Sequence, residues 1–158
     1  MSRSSLVYGG GPRGVQLILD CVPDSTFKLE IDDFVAAKTV MVGKFVQLSF
    51  GANYEVTSPA DGERADGIIV AEPVSDPINS TYRISCDIWS FTDDNGNIYA
   101  ANRIIHAPYS GTLALHNSCE VESTSTFYQF ADGATDGFHN AVIAIDVPAS
   151  GYCDVIHD

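Results

Sequence analysis

Residues 40–72 have the sequence VMVGKFVQLSFGANYEVTSPADGERADGIIVAE, and their pattern is the clearest indication of the fold class. Its apolar segments, at 44–50, 54–57 and 68–71, are separated by turns rich in glycine, asparagine, aspartate and proline. Short apolar segments between such turns are typical of β-strands. The stretch holds no set of residues arranged for catalysis, so it favours a β protein that works through its surface over an enzyme.

The same organisation continues on both sides of this stretch. Asn95-Gly96 predicts a tight hairpin, because both central residues of a type I′ turn need positive φ. Phe27, Leu29 and Ile31 alternate with charged residues, which predicts a strand, and residues 32–38 have room for only one helical turn. Further strands are predicted at 15–19, 82–88, 98–105, 112–121, 126–130, 141–147 and 152–156.

These patterns predict an all-β fold, a small β-sandwich or barrel with an extended N-terminal arm. Residues 1–14 form the arm and residues 15–158 the β domain, with a subdivision near 73–80, where two prolines lie. The sequence ADG at 60–62 and again at 131–133, each followed by a second Asp-Gly pair, fits two related β subdomains. Coincidence between acidic turns explains the same repeat.

The arm is the first candidate for binding a partner. Glycine-rich backbone is flexible until a partner orders it, and it allows close approach of another chain. The predicted partner-binding residues of the arm are Tyr8, Gly9, Gly10, Gly11 and Arg13.

Trp89 and Phe91 are the second candidate, because they lie on the face of their strand opposite Ile88. They are predicted to cover a second layer or an intersubunit contact. Together with tyrosines such as Tyr109, they also leave open a glycan-binding or adhesin β-sandwich, in which aromatic rings stack against sugars.

Composition excludes several classes of partner. The 158 residues include 8 Lys and Arg against 21 Asp and Glu, a formal charge of −13. Such a surface repels phosphate, so we expect no nucleic acid partner and no anionic membrane partner. No segment approaches the roughly 20 apolar residues of a membrane span, and the N-terminus lacks the apolar region of a signal peptide. Synthesis in the cytoplasm is therefore expected.

No motif for metal binding or nucleophilic catalysis is present. The four cysteines form no CxxC pair and are expected to be reduced. His116, Cys119 and His139 are only a loose zinc set, and Cys119 with a histidine is only a loose thiol-nucleophile set. Residues 93–97 begin like a calcium loop, but the twelfth position is Ile104. The acidic turns at 61–66 and 132–136 leave open the alternative that they bind a calcium ion at a contact between subunits. The sequence thus predicts no catalytic, cofactor or metal site.

Three segments carry a family resemblance: GKFVQL at 43–48, YEV at 54–56 and ADGIIVA at 65–71. They resemble the head decoration, or capsid cement, proteins of tailed bacteriophages. The resemblance covers about a fifth of the chain. It implies a small β-rich protein on the outside of the virion that binds the major capsid protein, forms a homotrimer and braces the capsid lattice. It carries no catalytic residues with it.

Overall fold

The computed structural model describes residues 17–49, 54–63, 65–93, 95, 97–100, 103–123, 128–133, 142–148 and 151–157. Within these ranges the chain forms thirteen strands and one helix, which confirms the predicted all-β class. In chain order the elements are β1 (Ile18–Pro23), α1 (Ser25–Ala36), β2 (Phe45–Leu48), β3 (Glu55–Thr57), β4 (Gly67–Ile69), β5 (Val74–Asp76), β6 (Thr81–Ile88), β7 (Ser90–Thr92), β8 (Ile98–Ala100), β9 (Arg103–Pro108), β10 (Cys119–Ser123), β11 (Tyr128–Asp132), β12 (Val142–Asp146) and β13 (Tyr152–His157).

Five strands close into a barrel in the order β1-β3-β2-β4-β6, with β6 returning to β1. The pairing of β1 with β3 is parallel, and the other four pairings are antiparallel. Strand β5 pairs with the start of β6 outside the ring. The segment 73–80, where a subdivision was predicted, therefore contains a strand of the barrel sheet.

Helix α1 occupies a segment for which the sequence predicted a strand. Leu29 is 65% exposed, whereas Phe27 and Ile31, four residues apart, are buried on one helix face. The Asp24 side chain accepts a hydrogen bond from Phe27 N at 2.7 Å and caps the first turn. The strand prediction for 27–31 and the limit of one helical turn are therefore wrong. A capped helix buries Phe27 and Ile31 in the barrel core and leaves Leu29 in solvent.

Two hydrophobic cores meet at strand β2. Val46 belongs to the core inside the barrel, with residues such as Ile69, Ile84 and Cys86. Its neighbour Phe45 points the opposite way, as alternate strand residues do, into a second core formed with the C-terminal strands. The outer face of the barrel is therefore the surface against which the second core packs. From Trp89 onward, directly after β6, the residues of the core clusters all belong to the second core.

The described strands of the C-terminal half form small antiparallel sheets that pack on that face of the barrel. Strands β12, β13 and β9 form one sheet, β10 and β11 a second, and β7 and β8 a third. The β7–β8 pair brackets Asn95-Gly96, so a hairpin forms there as predicted, although the predicted return strand is divided into β8 and β9. The prediction of one strand over 112–121 is wrong. Turns occupy 111–112 and 115–116, His116 has a φ of 68°, and the strand begins at Cys119.

Two glycines of the resemblance segments have clear backbone roles. Gly43 has a φ of +95°, a conformation that a side chain disfavours. At Gly67 a Cβ atom would lie 2.5 Å from the Asp87 carbonyl oxygen and 2.7 Å from Ile88 Cδ1, because β4 passes close to β6 there. These two positions therefore favour glycine because of the backbone geometry of the barrel.

Candidate functional site

Most of the predicted partner-binding residues belong to the arm. Five lie outside the described residues: Tyr8, Gly9, Gly10, Gly11 and Arg13. The described chain begins beside the barrel, where Leu17 O accepts a hydrogen bond from Ile88 N at 2.9 Å. Leu17 and Ile18 are both exposed there. Leu17, the first residue that the structure describes, therefore lies beside the end of β6.

Trp89 does not belong to a binding surface. Its side chain is only 2% exposed, and its indole Nε1 donates to Ala65 O at 3.0 Å. Its ring meets Phe45 edge to face, with the ring centroids 6.2 Å apart. Of the two roles predicted for Trp89, covering a second layer or an intersubunit contact, its burial in the second core fits the second layer and leaves no side chain for a partner to contact. Phe91, two residues further on in β7, is 45% exposed and remains a candidate.

Four exposed valines lie on neighbouring segments of the barrel, and the sequence did not single them out. We call Val35, Val40, Val42 and Val70 the valine surface; all four side chains are exposed. Val35 is the second-last residue of α1, Val40 and Val42 lie in the loop to β2, and Val70 follows β4. Exposed apolar side chains that cluster are typical of interaction sites, whereas isolated ones are ordinary.

Backbone hydrogen bonds bring these segments together. Thr39 N donates to Phe34 O at 2.9 Å, which folds the loop against the end of α1. Gly43 N donates to Ile69 O at 2.9 Å, which places the same loop beside β4. The four valines thus come from three segments that are bonded to one another.

Glu72 fixes the middle of this loop. Its carboxylate accepts hydrogen bonds from Met41 N at 3.0 Å and from Val42 N at 2.9 Å. Met41 is buried, so the alternation of Val40, Met41 and Val42 turns the two valines outward. That alternation is the signal in the sequence that could have found the surface. The role of Glu72 cannot be seen in the local sequence, because the backbone groups that it binds lie about thirty positions earlier in the chain.

A buried lysine lies in the same loop. Lys44 is 4% exposed, and its Nζ atom lies 4.7 Å from the centre of the Phe34 ring. Burial lowers the pKa of Lys44, and the negative charges of Glu30 and Glu72 raise it by a smaller amount. Burial also raises the pKa of Glu30. The cation–π contact and the two carboxylates hold the ammonium group inside the loop between α1 and β2.

A polar groove of about 260 Å³ lies between α1 and the β5–β6 hairpin. Asp32 accepts hydrogen bonds from Tyr82 Oη at 2.6 Å and from Lys28 Nζ at 3.0 Å. The hydrogen bond to Asp32 raises the pKa of the Tyr82 phenol, and the bonds from Tyr82 and Lys28 lower the pKa of the Asp32 carboxyl. These groups satisfy one another, which makes the groove a structural junction between helix and sheet.

The residues weighed for metal chemistry have other partners. Asp93 Oδ1 accepts from the backbone N atoms of Asn95 and Asn97, each at 2.9 Å, as a hairpin turn requires. His106 Nδ1 lies 2.7 Å from Asp154 Oδ1. Among the residues that the structure describes, no three His, Cys, Asp or Glu side chains are grouped so as to hold a metal ion. His139 and residues 134–136 of the second acidic turn lie outside them.

All four cysteines are buried and free of disulfide bonds in the structure. Burial raises the pKa of Cys119 and of Cys153, each to about 12. The thiolate is the nucleophilic form, so at neutral pH Cys119 stays in its unreactive thiol form.

Comparison of the chain with protein-family models, with curated proteins and with solved structures finds no significant match. Within the described ranges, no helix has both the length and the apolar character needed to cross a bilayer.

Proposed function

We propose that this chain is a capsid decoration protein without catalytic activity. It binds the outer surface of a tailed-phage head as a homotrimer and stabilises the lattice of the major capsid protein. Synthesis takes place in the host cytoplasm, and the protein then joins the exterior of the virion. No nucleic acid or membrane takes part.

The valine surface is the observation that carries this proposal. Three of its four residues, Val40, Val42 and Val70, lie inside the 40–72 segment that resembles capsid cement proteins. The surface is apolar on a chain with a charge of −13, so it is a place where another protein can dock with little charge repulsion. Several such contacts on neighbouring capsid subunits raise avidity without one strong site. Binding only to the assembled lattice stabilises it by mass action.

The glycan-binding alternative has less support. Its aromatic platform included Trp89, which is buried in the second core. A glycan array read with the purified protein separates the two functions: saturable glycan binding without binding to heads would favour the alternative.

The valine surface can be tested by making it polar. We expect the double variant Val40→Ser, Val42→Ser to bind expanded, undecorated heads roughly 100-fold more weakly than the native chain, since two valines that lose about 1.5 kcal/mol of burial each account for that ratio. Co-sedimentation with heads built from the major capsid protein of the same virus measures the binding, at the same salt for every variant.

Leu115→Ser is the matched control, because Leu115 is exposed but lies in the turn before β10. It should bind heads as the native chain does. Equal binding by the double variant would remove the valine surface from the site. Failure of the native chain to sediment with heads would count against the whole proposal.

The arm gives a second test. We expect deletion of residues 1–14 to weaken head binding at least tenfold, because an arm that lies across a neighbouring molecule adds a point of attachment. The described strands begin at Ile18, so the free energy of unfolding should stay within about 0.5 kcal/mol. Head co-sedimentation and urea unfolding measure the two quantities. Full head occupancy by the shortened chain would refute a binding role for the arm.

A further inference from the structure

Two buried cysteines lie on the strand pair that closes the barrel. Strand β1 pairs with β6 through Leu19↔Cys86 and Cys21↔Ile84, so the two cysteines are diagonal neighbours on the same face of the sheet. Both are 0% exposed and belong to the core inside the barrel. The four free cysteines therefore include one pair on adjacent strands of the barrel core.

The Cys21 side chain leans along its strand toward Cys86. Ile88 N donates to Leu17 O at 2.9 Å, and bonded pairs recur at every second residue of an antiparallel ladder. The Leu19 carbonyl therefore points across to Cys86, its partner in the register. Cys21 Sγ donates to that same carbonyl oxygen at 3.7 Å, which places the sulfur on the Cys86 side of β1. There the Cys86 thiol donates a hydrogen bond to Cys21.

This contact makes the two thiols unequal. The hydrogen bond from Cys86 lowers the pKa of Cys21, whereas the same bond, together with burial, raises the pKa of Cys86. Since the thiolate is the reactive form, Cys21 is the nucleophile of the pair and Cys86 is the thiol that keeps its proton. Cys119 and Cys153 in the second core differ, because burial raises the pKa of each to about 12. They provide less reactive thiols within the same chain.

We propose that Cys21 and Cys86 are an oxidation site, a dithiol that a small peroxide converts to a disulfide. The Cys21 thiolate attacks one oxygen of hydrogen peroxide, the O–O bond breaks, and a sulfenic acid and hydroxide form. That hydroxide takes up the proton that Cys21 had released. The Cys86 sulfur then attacks the Cys21 sulfur, the S–O bond breaks, and the leaving hydroxide takes the Cys86 proton and departs as water. Two electrons pass from the two thiols to the peroxide, which becomes two molecules of water.

The disulfide fixes the closure of the barrel. Strand β6 returns to β1 to complete the ring, and Cys86 follows Cys21 by 65 positions. A cross-link that closes so long a loop stabilises the fold mainly by restricting the unfolded chain. Cytoplasmic thiols keep such pairs reduced, whereas virion surfaces meet an oxidising medium. Only this setting outside the cell rests on the proposed function, since the chemistry belongs to the chain itself.

Peptide mapping of the purified native chain tests the site without capsids, so its failure and the failure of head binding are separate results. The chain is treated with hydrogen peroxide, the remaining thiols are alkylated in urea at timed intervals, and the digest is analysed by mass spectrometry. We expect Cys21 and Cys86 in one linked pair of peptides, two hydrogen atoms lighter than the free peptides. Their thiols should be lost at least about tenfold faster than those of Cys119 and Cys153, whose thiolate forms are scarcer.

The melting temperature gives a second measurement. Oxidation should raise it by about 5–10 °C, and dithiothreitol should reverse the rise. Cys119→Ala, which keeps the pair, should show the same rise, whereas Cys86→Ala should show none. Each variant is compared with its own untreated sample, so that a destabilised core does not obscure the result.

The proposal is overturned by any of three results: four thiols that all remain open to alkylation, loss of Cys119 and Cys153 at the same rate as the pair, or links between chains only. A linked pair without a rise in melting temperature would contradict its role in closing the barrel.

Discussion

Replacing Phe45 with alanine is expected to lower the free energy of unfolding by about 3–5 kcal/mol, the range for a large aromatic residue removed from a core. Phe45 is fully buried, and its ring centroid lies 4.8 Å from that of Phe130 and 6.2 Å from that of Trp89. Phe45 is a residue of barrel strand β2 that packs in the second core, so its loss should weaken the contact between the C-terminal strands and the barrel wall.

The single tryptophan of the chain makes this effect visible. Trp89 fluorescence reports on the junction of the two cores, and far-UV circular dichroism reports on all strands. We expect the two unfolding curves to coincide for the native chain, as for a two-state protein, and the fluorescence transition of Phe45→Ala to come at lower urea. Leu29→Ala, at a position 65% exposed, should change stability by no more than about 0.5 kcal/mol. A native-like midpoint for Phe45→Ala would show that the cores are held together elsewhere.

Local patterns predicted most of the strands. The hairpin at Asn95-Gly96 and the β2–β3 pairing follow from turn residues placed between apolar segments. Helix α1 was missed because Phe27, Leu29 and Ile31 fit the period of two of a strand, whereas Phe27 and Ile31 without Leu29 fit one face of a helix, and only burial separates the two readings. The Asp24 cap was the local signal that could have decided between them.

The candidate surface could not be predicted to the same degree, because it depends on long-range contacts. Trp89 looks like a surface aromatic until Phe45, 44 positions earlier, is placed against it. Conversely, the loop that presents Val40 is held by Glu72, which binds the backbone of Met41 from 31 positions away. No local pattern fixes either contact.

The aspartate of the ADGIIVA segment joins three parts of the fold, and its loss should be about as damaging as that of Phe45. Asp66 is 1% exposed. Its Oδ2 atom accepts from Leu48 N and its Oδ1 atom from Ser90 Oγ, each at 2.9 Å. Its carbonyl oxygen also accepts from Trp89 N at 2.8 Å. A residue that looked like part of an acidic calcium turn is therefore a structural tie between β2, β4 and β7.

We expect Asp66→Ala to lower the free energy of unfolding by about 3–5 kcal/mol, because two hydrogen bonds to a charged group contribute roughly 1.5–3 kcal/mol each and their donors would remain buried. Asp66→Asn is the matched variant, since it keeps the size of the side chain and one acceptor oxygen, and it should lose about half as much. Urea unfolding at fixed salt measures both. If Asp66→Ala were as stable as the native chain, water or a rearranged loop would be satisfying Leu48 N and Ser90 Oγ, and the tie between the barrel and the β7–β8 hairpin would have to rest on the backbone of residue 66 alone.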